Sequence, residues 1–341
     1  MSRIKNSKDC VGEKMEYFLG IDQGGSKTAA VVGDGSGRIL GIGYSHGSCY
    51  SEPGMLEDAM NACAEAAENA AAQAGIDASQ IGYLCGGITG IDWEGDGRFV
   101  EEQLGKRLGI ARIRAVNDCI IAMRAGTSAP NRAVICAGSG LNCAVHTAEG
   151  EVIFGFYIPD EYQGGAAIGR AALQKVFDAE AGVGIPTALK KDLLQHFQAE
   201  NVDQLLKKYV EKRISYAEIL ALPPIVEQET FRGDQAASDI FRTFAEGVVP
   251  YLISGMKKMG VQHEPVDVVL SGSVFKCKAS VLKDTIRRRI LEAAEKAVII
   301  DAEFEPVIGA YLSALDDCFG EFSLEKFRAV KSNCRFNITR Q

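Results

Sequence analysis

The sequence has no Cys-x-x-Cys pair, few histidines and no long apolar run. Its ten cysteines and four histidines are scattered along 341 residues. This spacing excludes the local clusters that form structural zinc sites, and it favours free thiols over a disulfide framework. No window approaches the roughly 18 apolar residues that a membrane-spanning helix requires.

Positive charge is scarcer than negative charge. The net charge of −8 argues against nucleic acid or an anionic membrane as the main partner. The first fourteen residues are polar and lack the apolar core of a secretory signal, so we expect a disordered tail at 1–14 and a cytoplasmic protein. The 47% hydrophobic content is typical of a soluble globular protein. The length of 341 residues is enough for two domains.

The apolar runs and turn residues repeat one order of elements twice. Each half is predicted to begin with three antiparallel strands and to continue with alternating helices and strands. The predicted strands are 17–21, 28–32, 38–42, 81–85 and 112–116, then 132–137, 142–146, 151–154, 266–270 and 298–300. The predicted helices are at about 54–74, 97–108, 166–179, 188–198, 202–209, 235–259 and 279–295, with a short helix after Asp118 and a last one after Pro306. We therefore expect an α/β fold of two duplicated domains, 15–125 and 126–341, with a helical insertion at about 164–260.

A glycine-rich hairpin between the first two strands is the first candidate phosphate site. The order of residues in Gly20–Thr28 excludes a P-loop, because Ser26 separates Gly25 from Lys27 and the chain continues as a strand. Exposed backbone N–H groups in such a turn can bind phosphate oxygens. The candidate phosphate ligands are Gly24, Gly25, Ser26, Lys27 and Thr28. Asp22, at the end of the strand, is the candidate magnesium ligand, through water.

The second half contains a similar turn, Gly138-Ser139-Gly140-Leu141-Asn142. Either turn alone is compatible with an ordinary glycine hairpin, but two in equivalent positions favour a nucleotide held between two lobes. A third turn at Gly272-Ser273 closes a buried strand and suits close approach to an adenosine.

Acidic residues supply the candidate catalytic groups. Asp118, in the pair Asn117-Asp118, follows a strand at its carboxyl end, where a carboxylate can take a proton from an attacking hydroxyl. An equally ordinary role for Asp118 is to cap a helix. Asp92 either lines the same crevice or caps a loop. The pair Asp160-Glu161 either binds a ligand, namely sugar hydroxyls or a metal, or begins a helix.

Together these motifs resemble the actin-like ATPases, and more narrowly the family that joins N-acetylglucosamine kinase with the BadF/BadG-type ATPases. The first loop departs from the family pattern at Gln23 and Ser26. The resemblance implies two ribonuclease H-like domains with mixed five-stranded sheets and ATP with Mg²⁺ in the interdomain cleft. It also implies that Asp118 is the catalytic base and that Gly309 lies by the nucleotide.

The sugar-reading segment departs most. Amino-sugar kinases carry Gly-Gly-Trp-Gly and then Gly-Asp-Glu-Gly-Ser in this segment. The corresponding residues here, 154–163, contain no tryptophan and are several residues shorter. Depending on where the gap is placed, either Asp160 or Glu161 takes the position of the family Asp. Some relatives are activators with an iron–sulfur cluster, but neither Cys119 nor Cys143 sits in a matching motif. We expect a kinase for a sugar or amino sugar, acting as a homodimer. The alternatives are an ATP-driven regulator of a partner protein and an inactive nucleotide-binding relative.

Overall fold

The computed structural model describes residues 17–320 and 323–331, so the predicted tail at 1–14 lies outside the described residues. The chain forms two compact units. One contains the described residues up to Val134 together with those from Ile300 onward, and the other contains Ile135–Ile299. These units differ from the predicted domains in that the residues after Ile300 pack with the first sheet.

Ten strands and twelve α-helices span the described residues. In chain order they are β1 (Tyr17–Gln23), β2 (Lys27–Asp34), β3 (Ile39–His46), α1 (Leu56–Ala74), β4 (Ile81–Ile88), α2 (Asp96–Leu108), β5 (Ile113–Asn117), α3 (Asp118–Gly126), β6 (Arg132–Ala137), β7 (Leu141–Thr147), β8 (Gly150–Ile153), α4 (Gly164–Glu180), α5 (Leu189–His196), α6 (Val202–Val210), α7 (Tyr216–Leu220), α8 (Pro223–Phe231), α9 (Gln235–Lys258), β9 (Val266–Ser271), α10 (Ser280–Ala293), β10 (Ala297–Asp301), α11 (Pro306–Phe319) and α12 (Leu324–Lys331).

The two sheets have the same topology. Their strand orders are β3-β2-β1-β4-β5 and, read in reverse, β8-β7-β6-β9-β10. In the first sheet β1 runs antiparallel to β2 and parallel to β4, and β4 runs parallel to β5. The predicted fold of two duplicated, mixed five-stranded sheets flanked by helices is therefore confirmed.

Helix α1 lies unusually close to β3. Its buried stripe consists mostly of alanine, and it ends at Gly75, which takes the left-handed conformation with φ 70° that favours glycine. On β3, a Cβ at Gly41 or Gly43 would overlap backbone atoms of α1 around Ala70 and Ala66. Small residues on both elements therefore allow the strand backbone to rest on the helix.

Helix α11 packs against β1 and α3. A Cβ at Gly309 would overlap the carbonyl oxygen of Ile121 in α3. The buried Arg124 guanidinium donates from Nε to Asp316 Oδ2 at 2.6 Å and from Nη2 to Asp316 Oδ1 at 3.1 Å. This helix contact fixes the position of α3, whose first residue is Asp118.

Three helices and the last residues of β3 and β4 were not predicted. Strand β3 was predicted to end at 42 and continues to His46. Helix α7 has five residues, too few for a clear helical pattern, and α12 follows the last predicted helix. Helix α8 begins with Pro223-Pro224, which resembles a loop, although proline is tolerated in the first turn of a helix. Strand β4 continues through Gly86-Gly87 to Ile88 instead of ending at Cys85.

No helix in the described part of the chain has the length and apolar character needed to cross a membrane.

Candidate functional site

In the first unit, the hairpin between β1 and β2 projects an exposed glycine turn. Gly24 N–H donates to Lys27 O at 3.0 Å, and Gly25 and Ser26 at the tip are exposed. A Cβ on Gly25 would meet no atom within 4 Å, so the space around the tip is open. This geometry leaves room for a bound group beside the backbone of the predicted phosphate loop.

The segment after β3 supports this turn from behind. Ser48 N–H donates to Gly24 O at 3.2 Å, and a Cβ on Gly47 would overlap the backbone of Gly25 and Ser26. Sequence reasoning missed Gly47. Its only signal was a glycine following a strand, which also fits an ordinary turn.

The side chains of Gln23, Lys27 and Thr28 make specific contacts around the hairpin. Gln23, a departure from the family pattern, is fully buried and donates from Nε2 to the backbone oxygen of Ala59 at 2.6 Å. Lys27 Nζ lies 3.4 Å from Glu305 Oε2, with the lysine side chain 55% exposed. Thr28 is fully buried, and its hydroxyl donates to His46 O at 2.7 Å. Lys27 is therefore available at the surface, whereas the Thr28 hydroxyl is already engaged within the fold.

Asp22 and Asp118 are close enough for their charges to interact. Burial first, and then the charge of Asp118, raises the pKa of Asp22 to about 7, while Lys27 opposes the shift. Burial and the charge of Asp92 raise the pKa of Asp118 to about 6. Because desolvation and like charges both disfavour a carboxylate, these two groups titrate near neutral pH. A bound cation would favour the ionised form of Asp22.

Asn117 takes the capping role that was the alternative for Asp118. Its Oδ1 accepts from Cys119 N–H at 3.0 Å at the start of α3. Its Nδ2 donates to Ile91 O and to Asp92 Oδ1, both at 3.0 Å. The structure thus brings Asp92, Asn117 and Asp118 together at the carboxyl ends of β4 and β5.

Two further residues, both missed from sequence, hold the loop that carries Asp92. Asp96 Oδ2 accepts from Asp92 N–H at 3.1 Å and from Trp93 N–H at 2.9 Å. The Tyr50 hydroxyl donates to Gly90 O at 2.8 Å. Asp96 had a recognisable signal, because Asp is common where a loop enters a helix, but nothing in the sequence linked Tyr50 to this loop.

In the second unit, the glycine turn between β6 and β7 sits on the start of α4. Gly138 N–H donates to Gly140 O at 2.9 Å, and Gly165 N–H donates to Gly138 O at 2.8 Å. A Cβ on Gly164 would overlap Gly140 O. Among the described residues, the N–H groups of Ser139 and Gly140 donate to no backbone oxygen, and successive N–H groups of this kind can bind an anion.

Gln163 connects this turn to the altered segment at 154–163. Its Oε1 accepts from Leu141 N–H at 3.0 Å, and its Nε2 donates to Gly155 O at 3.1 Å and Ile158 O at 2.8 Å. Asn142 also faces this segment, because a Cβ on Gly155 would lie 3.0 Å from its Nδ2. Sequence reasoning missed Gln163, and no local pattern distinguished it.

Asp160 and Glu161 lie together in a short 3-10 turn just before α4. Both are exposed, and the backbone oxygen of Asp160 accepts from Arg170 Nη2 at 2.6 Å. Because both carboxylates are exposed, each can reach a ligand from this turn.

Gly272 and Gly309 contact backbone rather than open space. Gly272 has φ 99°, and a Cβ there would overlap Ala137 at the end of β6, one residue before Gly138. Ser273 follows it, exposed, at the start of a short 3-10 turn. Gly309 lies in the α3–α11 contact of the first unit. Gly272 is therefore adjacent to the second glycine turn, whereas Gly309 faces the backbone of α3.

Each unit contains residues that fit phosphate oxygens, and the first unit also fits a magnesium ion. Each hairpin offers backbone N–H groups beside open space, and Asp22 offers a carboxylate oxygen, the donor that Mg²⁺ prefers. Within the described residues, no group of three or more His, Cys, Asp or Glu side chains could hold a metal alone. Phosphate oxygens and water would therefore complete the coordination of a magnesium ion at Asp22.

Characterised relatives cover most of the chain. It is 28% identical over 314 residues to N-acetyl-D-glucosamine kinase of Dictyostelium discoideum, covering 88% of this chain and 98% of that protein. It is 24% identical over 311 residues to N-acetylmuramic acid/N-acetylglucosamine kinase of Clostridium acetobutylicum, covering 89% of this chain and 100% of that protein.

Solved structures share the fold. A candidate N-acetylglucosamine kinase from Chromobacterium violaceum matches with a TM-score of 0.68 at 20% identity, covering 88% of this chain and 99% of that one. A ROK family glucokinase from Streptomyces griseus, solved with glucose and AMPPNP, matches with a TM-score of 0.57 at 19% identity, covering 87% and 99%. The sequence model of the BadF/BadG/BcrA/BcrD ATPase family matches residues 19–314, and the chain therefore belongs to this family.

Proposed function

We propose that this protein transfers a phosphoryl group from ATP to a hydroxyl of a sugar or amino sugar. The observation that carries the proposal is the place of the Asp118 carboxyl, which begins α3 at the carboxyl end of β5, directly after Asn117, whose side chain donates to Asp92. Burial and the charge of Asp92 raise the pKa of Asp118 to about 6. A base with a pKa just below the working pH is largely ionised and still accepts a proton effectively. The names of the two characterised relatives support a sugar as the acceptor.

We assign the proposed roles to residues of both units. The glycine hairpins at 24–28 and 138–142 hold the phosphates, and Asp22 holds Mg²⁺, which would neutralise charge on the transferring phosphoryl group. Asn117 fixes the start of α3 and the carboxyl of Asp92. Asp118 then takes the proton from the acceptor hydroxyl as the hydroxyl oxygen attacks the γ-phosphorus and the bond to ADP breaks.

Exclusion of water is the second requirement, because water competes with the sugar hydroxyl for the γ-phosphoryl group. We propose that ATP binds in a cleft between the two units and that its closure excludes water, as the duplicated topology suggests. The cytoplasm as location and a homodimer as assembly are part of the same proposal, and sedimentation at equilibrium tests the assembly.

A panel of acceptors tests the function directly. ADP release is measured with Mg²⁺ and ATP in the presence of glucose, glucosamine, N-acetylglucosamine, N-acetylmannosamine and N-acetylmuramic acid. We expect at least one sugar to raise turnover well above the rate with ATP alone. If none does, and a stable complex with another polypeptide forms instead, the protein is an ATP-driven regulator.

The role of Asp118 is tested in the same assay. Asp118→Asn removes the base with little change in volume, and we expect kcat to fall by about 10²–10⁴-fold while ATP still binds. Asp284→Asn, on the exposed surface of α10, is the matched control and keeps full activity. An Asp118→Asn enzyme that keeps more than about a tenth of its kcat contradicts a role for Asp118 as general base.

A further inference from the structure

The single tryptophan of the chain, Trp93, is exposed beside the proposed catalytic centre. The residue is 67% exposed, and no other tryptophan occurs in the sequence. It directly follows Asp92, whose Oδ1 accepts from Asn117 Nδ2 at 3.0 Å and whose charge acts on Asp118. The exposed indole is therefore one residue along the chain from a carboxylate that acts on the candidate base.

The loop that presents Trp93 is fixed at several points. Asp96 Oδ2 accepts from the N–H groups of Asp92 and Trp93, and Trp93 O accepts from Asp96 N–H at 3.2 Å. Asn117 Nδ2 donates to the carbonyl oxygen of Ile91, the residue before Asp92. A ring carried by an ordered backbone loses little entropy when it binds a ligand, so its exposure is compatible with a preformed contact surface.

We propose that Trp93 forms the aromatic wall of the acceptor site and that one face of a pyranose ring packs on its indole. This inference rests on the proposed function. The C–H face of a pyranose is apolar while its hydroxyls lie around the rim, so an aromatic ring takes the face and a nearby carboxylate accepts from the hydroxyls. Trp93 and Asp92, adjacent in one fixed loop, offer this pair of groups.

Fluorescence provides a readout that does not depend on turnover. Because Trp93 is the only tryptophan, its emission reports its own surroundings without correction for others. Titration of the accepted sugar, with and without ADP, should shift or quench the emission in a saturable way. The dissociation constant from this titration should match the acceptor KM when the sugar dissociates faster than the chemical step proceeds.

Two variants separate the ring from the backbone of the loop. We expect Trp93→Ala to raise the acceptor KM by about five- to tenfold, as for the loss of one aromatic contact, and Trp93→Phe to raise it by less than about threefold. The KM for ATP and the melting temperature stay unchanged in both. Phe231→Ala removes an aromatic residue of similar exposure, 62%, at the end of α8 and is the matched control.

The outcomes distinguish this inference from the function on which it rests. If no sugar in the panel is phosphorylated, both are overturned. If a sugar is phosphorylated but saturating amounts leave the emission of Trp93 and the acceptor KM of Trp93→Ala unchanged, only the inference is overturned. An equal rise in the KM for ATP and for the sugar also overturns it, because the ring would then not be specific to the acceptor.

Discussion

At the scale of single residues, the raised pKa values of two carboxyls set the expected pH dependence. Burial and neighbouring charge raise the pKa of Asp118 to about 6 and that of Asp22 to about 7. A base must be ionised to accept a proton, so activity is lost as the pH falls through the pKa of Asp118, whereas a bound Mg²⁺ would favour the ionised form of Asp22. Because the two groups interact, the measured values belong to the pair.

We therefore expect kcat/KM for the sugar to fall about tenfold or more for each pH unit below about 6. The measurement is the pH–rate profile at saturating Mg²⁺ and ATP, with protein stability checked at each pH. A profile that stays flat down to pH 4.5 would show that no buried carboxyl acts as the base.

Asp92 has a separate effect that the same profile measures. Its charge is the second cause, after burial, of the raised pKa of Asp118. Asp92→Asn removes this charge and keeps a side chain of similar volume, so we expect the acidic limb of the kcat/KM profile to move to lower pH. Asp284→Asn should leave the limb in place, and a limb that moves to higher pH in Asp92→Asn contradicts the electrostatic assignment.

The residue scale is also where the sequence had least predictive power. The glycine turns and Asp22, Asn117 and Asp118 were identifiable because each lies at the end of an apolar strand. Gly47, Tyr50 and Gln163 support the loops from distant parts of the chain or through one side chain. Their contacts depend on the packed structure, and no local pattern encodes them.

At the scale of elements, the α3–α11 contact positions the candidate base. Gly309 allows the backbone of α11 to approach Ile121 O, and Arg124 links α3 to Asp316. We expect Gly309→Ala to destabilise the protein by about 1–3 kcal/mol, because the added methyl group forces the helices apart, and to lower kcat by displacing Asp118. Thermal unfolding and turnover are the measurements.

Gly105→Ala is the matched control for this substitution. Gly105 is also inside a helix, but a Cβ there would make only ordinary contacts at 3.6 Å and 3.7 Å. Since alanine is the better helix former by up to about 1 kcal/mol, Gly105→Ala should be neutral or stabilising. A Gly309→Ala protein as stable as Gly105→Ala would contradict the close packing of α3 and α11.

Element prediction succeeded where the pattern was long and regular. All ten strands and the long helices were predicted within a few residues, since alternation and helical stripes extend over many positions. Helices α7 and α8 were missed because one has only five residues and the other begins with two prolines. Strand β4 was predicted too short because Gly86-Gly87 resembles a turn.

At the scale of the whole molecule, ligand binding should appear as a gain in stability. A ligand that binds only the folded protein adds about 2.7 kcal/mol at 100 times its dissociation constant. We expect ATP with Mg²⁺ to raise the melting temperature, and Asp22→Asn to lose the part of that gain that depends on Mg²⁺. No shift with ATP at millimolar concentration would favour an inactive relative that has lost nucleotide binding.

The duplicated topology was predictable at this scale because the same order of three hairpin strands and two later strands occurs twice in the sequence. The assignment of the residues after Ile300 to the first unit was not, since nothing near α11 marks the sheet on which it packs. A helix that packs on an earlier sheet does so through long-range contacts, and local sequence patterns carry no information about such contacts.

The close contact between β3 and α1 also constrains how this sequence can diverge. Gly41 and Gly43 face the backbone of α1 around Ala66 and Ala70, so enlarging any of these residues alone would separate the strand from the helix. Substitutions at this β3–α1 contact must therefore occur as compensating pairs or not at all. In directed evolution these four residues should be left unchanged, and mutations are better placed in exposed loops.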